Sequence, residues 1–137
     1  MKKKDLSHSK IYIGIDPGKS GALCVIEDDF IKAYPCPDNV QDMALMFAMA
    51  ISVNETKTVV AYIEKVWARP TDGRSSIWKF AENYGVWLGI AGAYEVDLKT
   101  VAPQRWIKYF ETPKLEKANR KRYLRDKARS MYPDLKK

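Results

Sequence analysis

Short runs rich in apolar residues in the first half of the chain predict the strands of a sheet. Residues 11–15, 22–26 and 30–34 each form such a run, and turn-forming residues separate them. Because the connections are short, we expect these three strands to form an antiparallel meander. Two further runs, residues 58–63 and 95–101, predict a fourth and a fifth strand.

Apolar residues at helical spacing predict two helices between these strands. The first begins at Asp38, which forms with Gln41 a pattern close to a capping box. The second follows a polar loop, and Ser75 or Ser76 is expected to cap it. The residues expected on the buried side of the second helix are Ile77, Phe80, Ala81, Tyr84, Trp87, Leu88, Ala91 and Tyr94.

Two more helices are predicted after the fifth strand. Pro103 suits the first residue of a short helix through Phe110, and residues 116–131 predict a final helix that ends before Pro133. The element order is therefore β-β-β-α-β-α-β-α-α. This order predicts an α/β fold in which a mixed five-stranded sheet, a meander plus parallel strands, carries helices on both faces.

Length and composition favour one globular domain over residues 11–137, preceded by a basic leader at residues 1–10. The chain has 137 residues, of which 46% are apolar and 30% charged. No apolar run is long enough to span a bilayer, and no apolar segment of a signal peptide follows the basic start. We expect a cytoplasmic protein in which Cys24 and Cys36 are reduced thiols.

The net charge of +7 is unevenly distributed along the chain. Residues 1–98 hold 11 basic and 13 acidic side chains, whereas residues 99–137 hold 13 and 4. The basic arm, residues 114–129, therefore predicts a nucleic-acid partner bound through phosphate contacts. A solvated basic helix without a partner, or an RNA-binding helix, stays possible at this point.

Two predicted strands end in a carboxylate. Asp16 follows the first strand and Glu64 follows the fourth, and a crossover connection can bring both to the same edge of the sheet. Adjacent carboxylates repel unless a cation lies between them, and oxygen ligands favour Mg²⁺ or Mn²⁺. Such a pair suits metal-assisted phosphodiester hydrolysis. The alternative is that Asp16 caps a turn while Glu64 pairs with Lys65 or an arginine.

Four segments together resemble RuvC-type Holliday junction resolvases of the RNase H-like superfamily, in their phage-like branch. They are residues 13–22 (IGIDPGKSGA), 63–67 (IEKVW), 79–89 (KFAENYGVWLG) and 101–108 (VAPQRWIK). The first segment alone is also similar to the phosphate-binding hairpin of sugar kinases and actin. A phosphate- or ATP-binding protein is therefore a third, less favoured expectation.

The resemblance implies a homodimeric endonuclease that cuts four-way DNA junctions. Asp16 and Glu64 would be its catalytic metal ligands, with two Mg²⁺ or Mn²⁺ ions in a complete site, and Trp67 would stack on bases. Tyr84, Gly85 and Gly89 are expected at the dimer interface, with internal packing as the alternative. The residues expected to contact DNA are Trp67, Arg69, Arg74, Gln104, Lys108, Lys117, Arg120 and Lys121.

One departure from the family pattern concerns its last acidic ligands. The family carries a motif like Asp-His-Gly-x-x-Asp-Ala on a last helix, and residues 132–137 contain no such motif. We therefore expect that the natural protein continues with a helix outside this sequence. We also expect these 137 residues to bind junctions better than they cut them. A non-catalytic protein that binds branched DNA is the second functional hypothesis.

Overall fold

The computed structural model describes residues 10–28, 30–51 and 57–135, and these form the predicted order of elements. Most of the predicted leader and Asp29 lie outside the described residues. In chain order the elements are β1 (Lys10–Asp16), β2 (Ala22–Glu27), β3 (Phe30–Pro35), α1 (Val40–Ile51), β4 (Thr58–Glu64), α2 (Arg74–Ala93), β5 (Asp97–Val101), α3 (Pro103–Tyr109) and α4 (Lys117–Met131).

The strands form one mixed sheet in the order β3-β2-β1-β4-β5. The first three form an antiparallel meander, as the short turns predict, while β4 is parallel to both β1 and β5. The two parallel pairs follow from the crossovers through α1 and α2. The predicted α/β class with a meander and parallel strands is therefore confirmed.

One face of the sheet, called the packed face below, carries the hydrophobic core. Side chains alternate along a strand, so the isoleucines at positions 11, 13 and 15 of β1 all lie on this face. They pack with Leu23 of β2 and Ile63 of β4 against helices α1 and α2. The helix residues buried there are Met43, Phe47, Ala50, Trp87, Ile90 and Ala91.

The opposite face, called the open face below, has no fully buried residue in β1 or at the end of β4. Towards the ends of these two strands, its members are Tyr12, Gly14 and Asp16 of β1 and Tyr62 and Glu64 of β4. Helices α3 and α4, which approach this face, contain no buried residue. The Lys127 ammonium donates to the Phe110 carbonyl at 2.6 Å and so joins α4 to the end of α3. Within the described ranges, no helix is both long and apolar enough to cross a bilayer.

The residues at the N-termini of α1 and α2 differ from the predicted capping residues. At α1 the cap is Asn39 rather than Asp38, because its Oδ1 accepts the Asp42 backbone N–H at 2.8 Å. The Asn39 amide also donates to the Asp42 carboxylate at 2.7 Å, so the reciprocal pair lies one residue later than predicted. Helix α2 begins at Arg74 after Gly73 without a side-chain cap, and the predicted serine caps lie inside the helix.

The buried side of α2 was predicted only in part. Trp87 and Ala91 are buried as expected, but Phe80 and Leu88 are exposed, and Ile90 is buried instead. Apolar residues occur on nearly every side of this helix, so periodicity alone does not select one face. Strand β5 begins at Asp97, later than predicted, because Glu95 adopts a positive φ of 55° in the turn after α2.

Candidate functional site

The carboxylates of Asp16 and Glu64 lie side by side at one end of the sheet. The parallel register pairs Ile15 of β1 with Ile63 of β4, so the next residue of each strand is again a neighbour. Because Ile15 and Ile63 both point into the core, Asp16 and Glu64 both belong to the open face. The sheet therefore brings the two predicted acids together.

Partial burial and the neighbouring carboxylate raise the pKa of Asp16 above its ordinary value. Removal of water by the surrounding protein is the largest cause, and repulsion from Glu64 adds to it. The Lys121 ammonium acts in the opposite direction, so the first half of α4 lies close enough to influence the site. The site therefore holds more negative charge than Lys121 offsets, and a bound cation would relieve the repulsion.

The side chain of Glu64 has a partner that the sequence analysis did not predict. The Trp106 indole Nε1–H donates to Glu64 Oε2 at 2.9 Å, across 42 positions of the chain. The sequence left Lys65 or an arginine open as partners, and among the described residues neither forms an ion pair with Glu64. The backbone N–H of Lys65 instead donates to the Val101 carbonyl at 2.8 Å, which extends the pairing of β4 with β5 past Glu64.

The donor set fits a hard divalent cation. Mg²⁺ typically binds one or two carboxylates and completes its octahedron with waters and substrate phosphates. Asp16 and Glu64 supply those carboxylates, and the described residues contain no group of three or more Asp, Glu, His or Cys side chains that could hold a metal. The part of the chain that the structure describes thus offers protein ligands for one such ion.

A tight turn fixes the backbone that follows Asp16. Gly18 has a φ of 120°, and its N–H donates to Asn83 Oδ1 of α2 at 2.7 Å. At Gly21 an added Cβ would lie 1.9 Å from the Asp16 carbonyl oxygen, so only glycine fits. Asn83 therefore anchors the turn to α2, a role that its place in the sequence did not reveal.

A groove of about 1250 Å³ opens beside Glu64. It lies between the loop after β4, the first half of α2 and the start of α1. Trp67, which is 44% exposed, lines it together with Arg69. The other charged residues of its lining are Lys19, Asp38, Lys65, Asp72, Lys79 and Glu82, with Glu64 at the side of the site. The groove thus combines flat aromatic surface with charges of both signs.

The remaining residues predicted to contact DNA lie outside this groove. Arg74 is exposed at the first turn of α2. On the helices beside the carboxylates, Gln104 and Lys108 of α3 and Lys117 and Lys121 of α4 are exposed, whereas Arg120 is half-buried. The predicted set therefore divides between the groove region and the two last helices, with Asp16 and Glu64 between them.

The glycines predicted at a dimer interface lie on an exposed side of α2. A Cβ added at Gly85 or Gly89 would meet nothing within 4 Å, so neither glycine is needed for internal packing. Trp78, 73% exposed, and Leu88, 38% exposed, also leave apolar surface uncovered on this helix. Tyr84 differs from the two glycines because it is half-buried and packs against the core.

Comparisons with known proteins bear on the fold. No protein-family model matches this sequence, and no curated protein matches it. Among solved structures, the chain is similar to T. thermophilus RuvC in complex with a Holliday junction substrate. The TM-score is 0.51, with 12% identity over 72% of this chain and 68% of that chain. At this identity the similarity shows the RuvC-like, RNase H-like fold alone.

Two further solved structures are more distant. A Thermus thermophilus RuvC structure has a TM-score of 0.43, with 14% identity over 68% of this chain and 64% of that chain. A ROK family protein from Streptococcus pneumoniae TIGR4, in complex with sucrose, has a TM-score of 0.41, with 13% identity over 67% of this chain and 34% of that chain.

Proposed function

We propose that this protein is a structure-selective endonuclease that resolves four-way DNA junctions by metal-dependent phosphodiester hydrolysis. The observation that carries the proposal is the adjacent pair Asp16 and Glu64, on neighbouring parallel strands of a RuvC-like fold. The similar solved structure is described as a complex with a Holliday junction substrate, which supports branched DNA as the partner.

In this proposal Asp16 and Glu64 hold Mg²⁺ or Mn²⁺. When bound, the metal would activate water and stabilise the leaving oxygen of the cut phosphodiester. The protein's own part is to present both carboxylates at one point. The turn anchored by Asn83 holds the backbone after Asp16, and β5 holds the backbone after Glu64 through Lys65.

DNA would contact both sides of this pair. Trp67 in the groove offers a ring on which an unpaired base can stack, an interaction worth ~1–3 kcal/mol per base. Phosphate contacts would position the branched DNA without reading its sequence. The residues proposed for these contacts, other than Trp67, are Arg69, Arg74, Gln104, Lys108, Lys117, Arg120 and Lys121.

The protein would act as a homodimer, because a four-way junction has two strands to be cut symmetrically. The exposed side of α2 supports this proposal, since Gly85 and Gly89 would allow two copies of the helix to approach closely. The half-buried Tyr84 would lie at the border of such an interface rather than at its centre.

A non-catalytic protein that binds branched DNA is the second candidate. It is favoured by the small number of ligands, because only two carboxylates meet at the site in the described part of the chain. A phosphate-binding loop is less well supported. The Gly18 N–H already donates to Asn83, and the Phe80 ring covers Gly18, where an added Cβ would lie 2.9 Å from it.

A binding and cleavage assay tests both candidates. The protein is incubated with a four-way junction and with a linear duplex of the same sequences, each in Mg²⁺ and in Mn²⁺. We expect junction-selective binding and, because only two carboxylates meet at the site in the described part of the chain, slow metal-dependent cleavage that Asp16→Asn and Glu64→Gln abolish. The control is Asp97→Asn, an exposed carboxylate at the opposite end of the sheet that pairs with Lys99 at 3.6 Å. Selective binding without cleavage supports the second candidate, and equal binding of junction and duplex contradicts both.

A further inference from the structure

We propose that Trp106 is a positioning residue for a divalent cation. Its indole N–H holds Glu64 Oε2 and leaves Oε1 as the oxygen that ligates the metal. This inference rests on the metal site of the proposed function and adds to it a residue from outside the two strands that carry the carboxylates.

The hydrogen bond lies in a well-constrained part of the molecule. Val101 pairs with Glu64 in the parallel register of β4 and β5, and α3 begins two residues later at Pro103. The first turn of α3 is therefore held beside Glu64 by the sheet itself. Trp106 is half-buried, and its N–H reaches the carboxylate at 2.9 Å, a normal distance for a charge-assisted hydrogen bond.

The chemistry of the donor explains why a tryptophan suits this place. The indole N–H donates one hydrogen bond and accepts none, and it carries no charge. It can therefore orient Glu64 without adding a positive charge that would compete with the metal. A lysine or arginine at the same distance would compensate the negative charge that attracts the metal, as the Lys121 ammonium does in part for Asp16.

The consequence for the metal is a defined ligand geometry. Mg²⁺ requires near-ideal octahedral geometry, so a carboxylate that rotates freely or binds through both oxygens is a poorer ligand. With Oε2 engaged by the indole, Glu64 would offer Oε1 to the metal. Partners of this kind, one step outside the ligand, typically change metal affinity by about 10–100-fold when they are removed.

Titration of the metal alone tests the proposal. We expect Trp106→Phe to weaken Mn²⁺ binding about tenfold, measured by calorimetry on the intact chain in the absence of DNA. Trp78→Phe is the matched control, because the same substitution at a side chain that is 73% exposed should leave the affinity unchanged. Mn²⁺ affinity of a folded Trp106→Phe protein within twofold of the wild type would overturn the proposal.

A second variant separates the hydrogen bond from the volume of the ring. Incorporation of a benzothienyl analogue at position 106, in which sulfur replaces the N–H, keeps the shape of the side chain and removes the donor. The same loss of Mn²⁺ affinity is expected. An unchanged affinity would assign the role of Trp106 to packing and overturn the proposal, even where Trp106→Phe fails to fold.

Nitrogen-15 NMR of the indole groups gives a readout that a purely structural role would not change. The chain has four tryptophans, and Trp→Phe variants assign their signals. Saturation with Mg²⁺ should shift the Trp106 indole signal and leave that of Trp78 in place. A Trp106 signal that does not respond while Mg²⁺ binds would contradict the proposal.

The outcomes also separate this inference from the proposed function. A wild-type protein that binds Mn²⁺ and cuts junctions, with a Trp106→Phe variant of equal affinity, overturns only the role of Trp106. A folded wild-type protein that binds neither Mn²⁺ nor Mg²⁺ overturns the metal site and therefore both proposals.

Discussion

On the packed face of the sheet, Ile11, Ile13 and Ile15 of β1 are between 0 and 4% exposed. On the open face, Tyr12 lies between two of these isoleucines and is 41% exposed, and Asp16 ends the same strand beside a second carboxylate. The same seven residues of β1 thus build a dry core on one side and a charged site on the other. Alternation along the strand separates the two tasks completely.

This separation matters because the two faces have opposite energetic requirements. Burial of apolar area stabilises the fold by roughly 25 cal/mol per Å², and a charge placed in that core would be costly. Two adjacent carboxylates, by contrast, repel each other and need access to water and to a cation. The open face supplies that access because the helices beside it, α3 and α4, contain no buried residue. Substitutions on the packed face should therefore change mainly the free energy of unfolding, and substitutions on the open face mainly metal and DNA binding.

The largest expected effect is on the packed face. Phe47 is fully buried, so Phe47→Ala leaves a cavity in the core. This substitution should lower the free energy of unfolding by about 3–5 kcal/mol. Tyr62→Ala on the open face, where the side chain is 38% exposed, should cost less than half as much. Urea unfolding of both variants measures the difference. Equal losses of unfolding free energy would mean that the two faces contribute equally to stability.

The next effect concerns the turn that follows Asp16 and joins β1 to β2. Gly21→Ala forces a Cβ against the Asp16 carbonyl, so we expect a loss of about 1–3 kcal/mol and weaker Mn²⁺ binding. The control Gly92→Ala, in helix α2 with open space around the new Cβ, should instead stabilise the protein by about 0.5–1 kcal/mol. Gly21→Ala with wild-type stability would contradict the role given to this turn.

Substitutions of two lysines of α4 should differ in whether they lower stability or DNA binding. Lys127→Met removes the donor to the Phe110 carbonyl and should cost about 1–3 kcal/mol of stability. Lys121→Met, at an exposed position, should cost much less stability than Lys127→Met, weaken junction binding and lower the salt slope by about one. Thermal unfolding and gel shifts over a salt series distinguish the two, and a reversed pattern would assign Lys127 to DNA.

The smallest effect concerns the carboxylate pair without metal. Since the pKa of Asp16 is raised in the folded protein, its ionised form is less favourable there than in the unfolded chain. In EDTA at neutral pH, Asp16→Asn should therefore be slightly more stable than the wild type. This gain should fade as the pH falls through the raised pKa of Asp16. Thermal unfolding over a pH series checks this, with Asp97→Asn as control, and a gain that grows towards low pH would contradict it.

The sequence predicted the strands and the two acids because each depends on a local pattern. Asp16 and Glu64 each end an apolar run, and the crossover rule brings those ends together. Trp106 and Asn83 are 42 and 65 positions from their partners, and no local pattern marks a contact that depends on how a helix docks. The buried side of α2 was predicted only partly for a related reason, since Leu88 and Ile90 are equally apolar and only the tertiary packing distinguishes them.

The carboxylates also lie on inner strands of the sheet. β1 is the middle strand and β4 is its neighbour, whereas the edges are β3 and β5. Amides of inner strands generally exchange only when a large cooperative unit opens, while edges fray at much lower free energy. Local opening of the meander edge therefore leaves Asp16 and Glu64 in register, and on heating the site is lost together with the fold rather than before it.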